Sequence, residues 1–264
     1  DDFVNKFVRA VVSDSTGLDA VSPQPSGGGI QATGGVVSDY TQSGTVYRAH
    51  IFTSSGVFDV SDIGGYGGAV DYLIVAGGGS GGYEGGGGAG GFRTNVPGHP
   101  LATGNPAWTV TATSYAVTVG GGGATGKAFG EMGTNGTDSS VNSIISKGGG
   151  RGGKHNTVPS SPGGSGGGSF SSNTAIGYGY NPSTPSPVVP NIPSPHPYGI
   201  TQGNNGAPNA GGGGGAGGAG ASGPGGKGGL GARIDIAGPS ADPSPIGTPG
   251  PGSGAAATGY LAGG

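Results

Sequence analysis

Val70-Asp71-Tyr72-Leu73-Ile74-Val75-Ala76-Gly77-Gly78-Gly79 decides how this chain folds. In an extended backbone Val70, Tyr72 and Ile74 share one face, and Leu73 and Val75 share the other. Both faces are apolar, which reads as a central strand covered on each side. The strand then passes straight into glycine. That join, more than the glycine content, predicts folded structure built from glycine backbone.

Six more glycine runs follow, at residues 85–91, 120–126, 148–153, 163–168, 211–220 and 223–231, so that 70 of 264 residues are glycine. Val119 enters the run at 120, Ser146-Lys147 enters the run at 148, and the last run leads into Ala232. Collagen needs glycine at every third position because only glycine fits its crowded axis, and these runs are continuous instead. A strand that enters glycine keeps its direction by adopting a polyproline-II-like form. That form rises about 3.1 Å per residue with three residues per turn and no internal hydrogen bonds, so seven residues make a rod of about 22 Å. A lone rod has no reason to stay ordered, because ordering each residue costs about 1–2 kcal/mol. Rods without β-carbons approach until each N–H reaches a neighbour's carbonyl, so the runs are expected as a bundle. The interruptions Ala89, Ala124, Ser165, Ala216 and Ala219 are expected to face outward or into gaps.

Two strand-turn-strand patterns support a β base. One is 46–52 with 57–60 around Ser54-Ser55-Gly56, and the other is 108–112 with 115–119. Residues 141–146 and 232–237 read as weaker strands, and 3–12 as a strand or short helix. No amphipathic helix is evident. The predicted fold is all-β: a small β-sandwich-like base carrying a bundle of polyglycine-II helices, with no substantial α-helix. A Pro/Gly/Ser linker at 22–29 divides an N-terminal attachment or assembly segment, 1–26, from a glycine-rich domain, 27–264.

Composition excludes several classes. Net charge is −3 with 9% charged residues, which leaves no basic stripe for nucleic acid. The strongest apolar stretch, 72–76, is far too short to insert into a membrane. The chain has no cysteine, hence no disulfide or thiolate metal site. It starts at Asp1 and stops within what looks like another glycine run, as a processed or partial product would.

Motifs that imitate chemistry fail on inspection. Gly77-x-Gly79-x-x-Gly82 follows a strand as a dinucleotide fingerprint does, but no helix can start after it to hold pyrophosphate. Residues 121–127 resemble a P-loop until Ala128 stands where a hydroxyl is needed for Mg²⁺. His50, His99, His155 and His196 are scattered, and Asp59 with Asp62 lacks an ordered ligand loop. No catalytic constellation, cofactor or metal site is expected.

Tyr47-Arg48-Ala49-His50-Ile51-Phe52-Thr53-Ser54-Ser55-Gly56-Val57-Phe58-Asp59-Val60, then Val70 to Gly79, then residues 85–91 followed by Phe92-Arg93, resembles the glycine-rich domain of phage tail-fibre and virion appendage proteins. Tyr115-Ala116-Val117-Thr118-Val119 with the glycines after it resembles it too. The match covers roughly residues 30–264. Related polyglycine-helix bundles form the receptor-binding tips of phage adhesins and a glycine-rich ectodomain of receptor tyrosine kinases. The resemblance implies a β base, a polyglycine bundle, a virion or extracellular location and host-surface contact.

Residues 181–197 carry seven prolines and are expected to be stiff. Tyr178, Tyr180, His196 and Tyr198 flank them, and aromatic side chains on stiff loops make contact anchors at low entropy cost. With His155, Phe92 and His99 on the loops 155–162 and 92–106, they are the candidate receptor contacts. The expected function is a structural and adhesive module whose partners are a bacterial surface saccharide or outer-membrane protein, other fibre subunits, and further copies of itself as a homo-oligomer. The alternative is a subunit of a self-assembling extracellular filament in which residues 3–12 add to a neighbour as a strand.

Overall fold

The computed structural model describes residues 11–13, 28–42, 45–82, 85–125, 132–154, 159–170, 202–223, 225–234, 236 and 260–264. The expected boundary near residue 26 lies outside them. In chain order the strands are β1 (Val11–Ser13), β2 (Gln31–Thr33), β3 (Val36–Gln42), β4 (Thr45–Ile51), β5 (Gly56–Asp62), β6 (Ala69–Val70), β7 (Leu73–Val75), β8 (Phe92–Thr94), β9 (Trp108–Thr109), β10 (Ser114–Thr118), β11 (Ser139–Val141), β12 (Ile144–Ser146), β13 (Ala232–Arg233) and β14 (Tyr260–Leu261). Two 3₁₀ turns, Gly64–Tyr66 and Pro100–Ala102, are the only helical elements among the described residues. The fold is all-β.

All pairings are antiparallel. A five-stranded sheet runs β12-β11-β10-β5-β2, a three-stranded sheet runs β1-β4-β3, and three ribbons join β6 with β9, β7 with β8 and β13 with β14. Residues 69–76 lie between two apolar cores. Val70, Tyr72 and Ile74 enter the first core with Phe52, Phe58, Val60, Trp108, Val117 and Val141. Leu73 and Val75 enter the second with Phe92, Ala216, Ile234, Ile236 and Leu261. The segment is buried on both sides as expected, but the expected central strand is corrected: it breaks at Asp71-Tyr72 into β6 and β7, each paired on one side only in a two-stranded ribbon. Each large side chain buried in this way stabilises the fold by roughly 1.5–3 kcal/mol.

Both expected hairpins are corrected. β4 pairs with β3 along seven residues, and β5 pairs with β10 and β2. β3 and β4 are separated by only two residues, the shortest hairpin connection, and so outcompete the longer link from β4 to β5. Between β2 and β3, Gly34 and Gly35 hold φ of 111° and 65°, a left-handed path that allows the chain to change sheets. Likewise β9 pairs with β6, and β10 with β5 and β11. The chain has to cross between layers after Trp108 so that this ring can meet Phe58 and Tyr115 edge-on, at centroid distances of 6.1 and 5.2 Å. Residues 141–146, expected as one strand, instead hold the turn of the β11–β12 hairpin and its second strand, with Asn142 and Ser143 between the two. Of residues 232–237, Ala232, Arg233, Ile234 and Ile236 are described, and among these only Ala232 and Arg233 are in a strand. Of residues 3–12, Val11 and Val12 are described, within β1 on the edge of β4.

The glycine runs are rods packed side by side, and they start where the strands end. The β7–β8 ladder continues past Val75 and Phe92 as Ala76 N–H to Gly91 O, Gly79 N–H to Gly88 O and Gly82 N–H to Gly85 O, at 3.1, 2.8 and 2.8 Å. The bonds recur every third residue, as a threefold polyglycine-II helix requires. No described glycine at 77–82, 85–91, 120–123, 148–153, 163–168 or 211–220 has a positive φ, so these rods share the left hand of polyproline.

Ala124 and Ala219 face outward and Ser165 faces a gap, the two placements expected, whereas Ala89 and Ala216 are buried. Ala216 fills the second core with its methyl group. Ser165 points at Gly203, which leaves it room by having no β-carbon.

Candidate functional site

Rod 85–91 is the hub of the bundle. Its carbonyls at 85, 88 and 91 accept from rod 76–82, and those at 86 and 89 accept from Gly168 and Ser165. Its amides at 86 and 89 donate to Gly211 and Gly214, and those at 88 and 91 donate to Gly150 and Lys147. Four neighbours are thus addressed in turn around one threefold axis. Two further rods are poor in glycine: 132–137 (Met-Gly-Thr-Asn-Gly-Thr) and 202–207 (Gln-Gly-Asn-Asn-Gly-Ala). They pair with their neighbours through bonds such as Ser80 N–H to Thr134 O at 3.1 Å and Gly166 N–H to Asn204 O at 3.0 Å.

Polar side chains splice strands to rods. The Ser146 hydroxyl donates to Gly91 O at 2.6 Å. The Gln202 side-chain oxygen accepts from Lys147 N–H at 2.9 Å, while its backbone oxygen accepts from Phe92 N–H at 2.9 Å. Lys147 forms an ion pair with Asp138, whose other oxygen takes Gly148 N–H at 2.9 Å. These contacts fix where each extended chain changes from ladder to rod.

The described residues of the two nucleotide-like glycine motifs, 77–82 and 121–125, lie inside this bundle. Gly77, Gly79, Ser80 and Gly82 donate to Thr137, Gly88, Thr134 and Gly85, and Gly123 donates to Gly78. Gly121 and Ala124 donate to the hydroxyls of Thr137 and Thr134. The amides at 77, 79, 80, 82, 121, 123 and 124, which a phosphate cradle would use, are thus already engaged, and Gly126 and Lys127 lie outside the described residues.

Among the expected receptor contacts, Tyr178, Tyr180, His196, Tyr198 and His155 lie outside the described residues. Phe92 is corrected: it is fully buried in the second core and offers no surface to a partner, because β8 and its apolar neighbours take it inward. The structure brings it against His99, the rings stacked 5.4 Å apart at 20°. His99 Nδ1 accepts Leu101 N–H at 3.1 Å, capping the turn Pro100–Ala102, which leaves Nε2–H to donate to Arg233 O at 2.9 Å. His99 is half-buried and pins the loop 95–106 to β13.

That loop frames a groove of about 540 Å³ that sequence reasoning missed. Its lining includes Thr45 and Tyr47 of β4, Asp71 between β6 and β7, Trp108 and Thr109 of β9, and Asn95. Asn95 accepts Tyr72 N–H at 2.7 Å and donates to Val70 O at 2.9 Å, bridging the gap between β6 and β7. Asn105 accepts from the buried Arg93 at 2.8 Å and donates to Leu101 O at 2.8 Å. Arg93 continues to Ile145 O at 3.0 Å, tying the loop to β12. Beside the groove, the Tyr72 hydroxyl donates to Pro106 O at 3.0 Å, and burial pushes its pKa up to about 12. The groove did leave a trace in the sequence, since Asp71 is an acidic residue interrupting the most apolar run of the chain.

A family model described as a glycine-rich domain matches residues 52–264, well over half of the chain. No curated protein and no solved structure matches.

Proposed function

This chain belongs to the glycine-rich domain family, and from that premise we propose that it is a non-enzymatic structural and adhesive module of a phage tail fibre or virion appendage. In this reading the β base aligns the module, and the polyglycine bundle holds loops toward a bacterial surface saccharide or outer-membrane protein. The observation that carries it is the hub rod 85–91, whose bonds to four neighbours turn side-chain-free backbone into a stiff support. A support of this kind presents loops with little entropy left to lose on binding. The test is binding of the isolated chain to bacterial cells, before and after residues 178–198 are replaced by Gly/Ser. Loss of binding is expected, and unchanged binding removes that loop from the contact.

A second reading, a self-assembling filament subunit, draws on the β1–β4 pairing. Val11, Val12 and Ser13 add to the β4 edge opposite Ala49, Arg48 and Tyr47, while residues 14–27 separate them from the rest of the base. The same strand fits the same edge of a second copy. Light scattering of the full chain and of a form lacking residues 1–26 tests this. Concentration-dependent assembly that disappears with the deletion supports exchange, and identical masses exclude it.

A further inference from the structure

We propose that Met132 is a site of reversible sulfoxidation by peroxide, and that the Arg151 guanidinium holds the oxygen it gains. Met132 is the only methionine of the chain. It opens the rod 132–137 and is 37% exposed, so an oxidant reaches it from solvent. Arg151, on the neighbouring rod 148–153, donates from Nη1 to the Met132 sulfur at 3.4 Å. The same nitrogen reaches Pro159 O, also at 3.4 Å. A thioether is a weak acceptor, and 3.4 Å is long for nitrogen to oxygen. Among the described residues the ion pairs are Arg48 with Asp39 and Lys147 with Asp138, so the Arg151 guanidinium is left with these two weak partners.

The approach is set by the rods beneath it. Arg151 N–H donates to Asn135 Oδ1 at 2.9 Å, and Arg151 O accepts Ser161 N–H at 3.0 Å. In the oxidation a sulfur lone pair attacks one oxygen of hydrogen peroxide. The S–O bond forms as the O–O bond breaks, and the second oxygen takes up the proton and leaves as water. Sulfur is oxidised by two electrons and peroxide is reduced by two. The new oxygen lies one bond beyond a sulfur that Nη1 already reaches. A guanidinium donates to it in a charge-assisted bond, roughly twice as strong as a neutral one. Methionine oxidation commonly disrupts a core, but Met132 belongs to neither apolar core here. The added oxygen instead ties rod 132–137 to rod 148–153. The sulfoxide is also chiral, and a guanidinium on one side favours one epimer.

This site is in the bundle and is independent of both the adhesive and the filament readings. The full chain is treated with hydrogen peroxide until N-acetylmethionine in the same solution is fully converted. Intact mass should rise by one oxygen, and Met132→Leu should block that gain. Thermal denaturation is compared before and after treatment for the natural chain and for Arg151→Ala, which keeps the β-carbon and the backbone bonds of the rod. Oxidation should raise the melting temperature of the natural chain by about 1–3 °C and should not raise that of Arg151→Ala. A methionine sulfoxide reductase should return the starting value. Epimer-specific reductases give a readout that needs no variant: one epimer should exceed the other at Met132 in the natural chain. The inference is overturned if Met132 stays unmodified, if oxidation leaves the natural chain no more stable, if Arg151→Ala gains as much, or if the two epimers form equally.

Discussion

Gly79 donates its amide to the carbonyl of Gly88 at 2.8 Å, and the same bond recurs three residues to either side, at Ala76–Gly91 and Gly82–Gly85. This spacing makes amide exchange the most direct measurement of the bundle. Slow exchange is expected at Gly79, Gly88, Ala89 and Gly150, all bonded to neighbouring rods, at levels approaching global unfolding. Rates like those of a free peptide at these four positions would remove the bundle, and the adhesive scaffold with it.

Neighbouring glycines in one rod should respond oppositely to alanine. A β-carbon on Gly79 would fall well inside contact distance of Gly149 and Gly150 backbone atoms, whereas on Gly78 its nearest neighbour would be 3.7 Å away. Gly79→Ala is expected to destabilise by about 1–3 kcal/mol, as overpacking does. Gly78→Ala is expected to be neutral or to stabilise by about 0.4–1 kcal/mol, because alanine restricts the unfolded chain at a φ it can adopt. Thermal denaturation of the two variants checks the sign as well as the size.

Much of this architecture was legible in the chain, and the exceptions have physical causes. The alternation of Val70 to Val75 between two cores and the passage from Val75-Ala76 into glycine follow from apolar periodicity and chain direction. Strand partners did not follow, because pairing depends on which layer a side chain such as Trp108 must reach. The rods 132–137 and 202–207 escaped notice because they are not glycine runs. They do carry glycine at three-residue spacing, Gly133 with Gly136 and Gly203 with Gly206. A β-carbon at any of these four would collide with a neighbouring rod. The rule that collagen obeys throughout thus applies here to single faces of single rods. The groove stayed hidden because its lining comes from β4, β6, β9 and a loop that sequence alone does not bring together.

The β11–β12 turn offers a stabilising substitution. Val141 faces Ile144 across the two residues Asn142 and Ser143, and Asn142 holds φ at 53°. Asparagine tolerates that region and glycine occupies it without strain. Asn142→Gly should raise stability by a few tenths of a kcal/mol, and Asn142→Val should lower it by about 1–2 kcal/mol. Chemical denaturation midpoints distinguish the two.

His50 should make stability depend on pH. It is fully buried, with Nδ1–H donating to Gly34 O at 2.9 Å and its ring edge-on to Phe58 at 5.1 Å. Burial, the largest influence, lowers its pKa from the ordinary 6.5; the Gly34 carbonyl and Asp39 oppose that shift, and Arg48 adds to it. The sign follows from proton uptake. Below about pH 6.5 the unfolded chain binds a proton that the folded chain refuses, so stability is full above that pH and falls as the pH drops toward the folded-state pKa. One such group gives a slope of up to about 1.4 kcal/mol per pH unit. Denaturation of the natural chain and of His50→Gln, each at pH 7.5 and 5.0, isolates this contribution from the other histidines. The variant should be less stable at pH 7.5, through lost packing, and should lose less on acidification. Equal losses in both chains would mean that the imidazole is protonated within the fold.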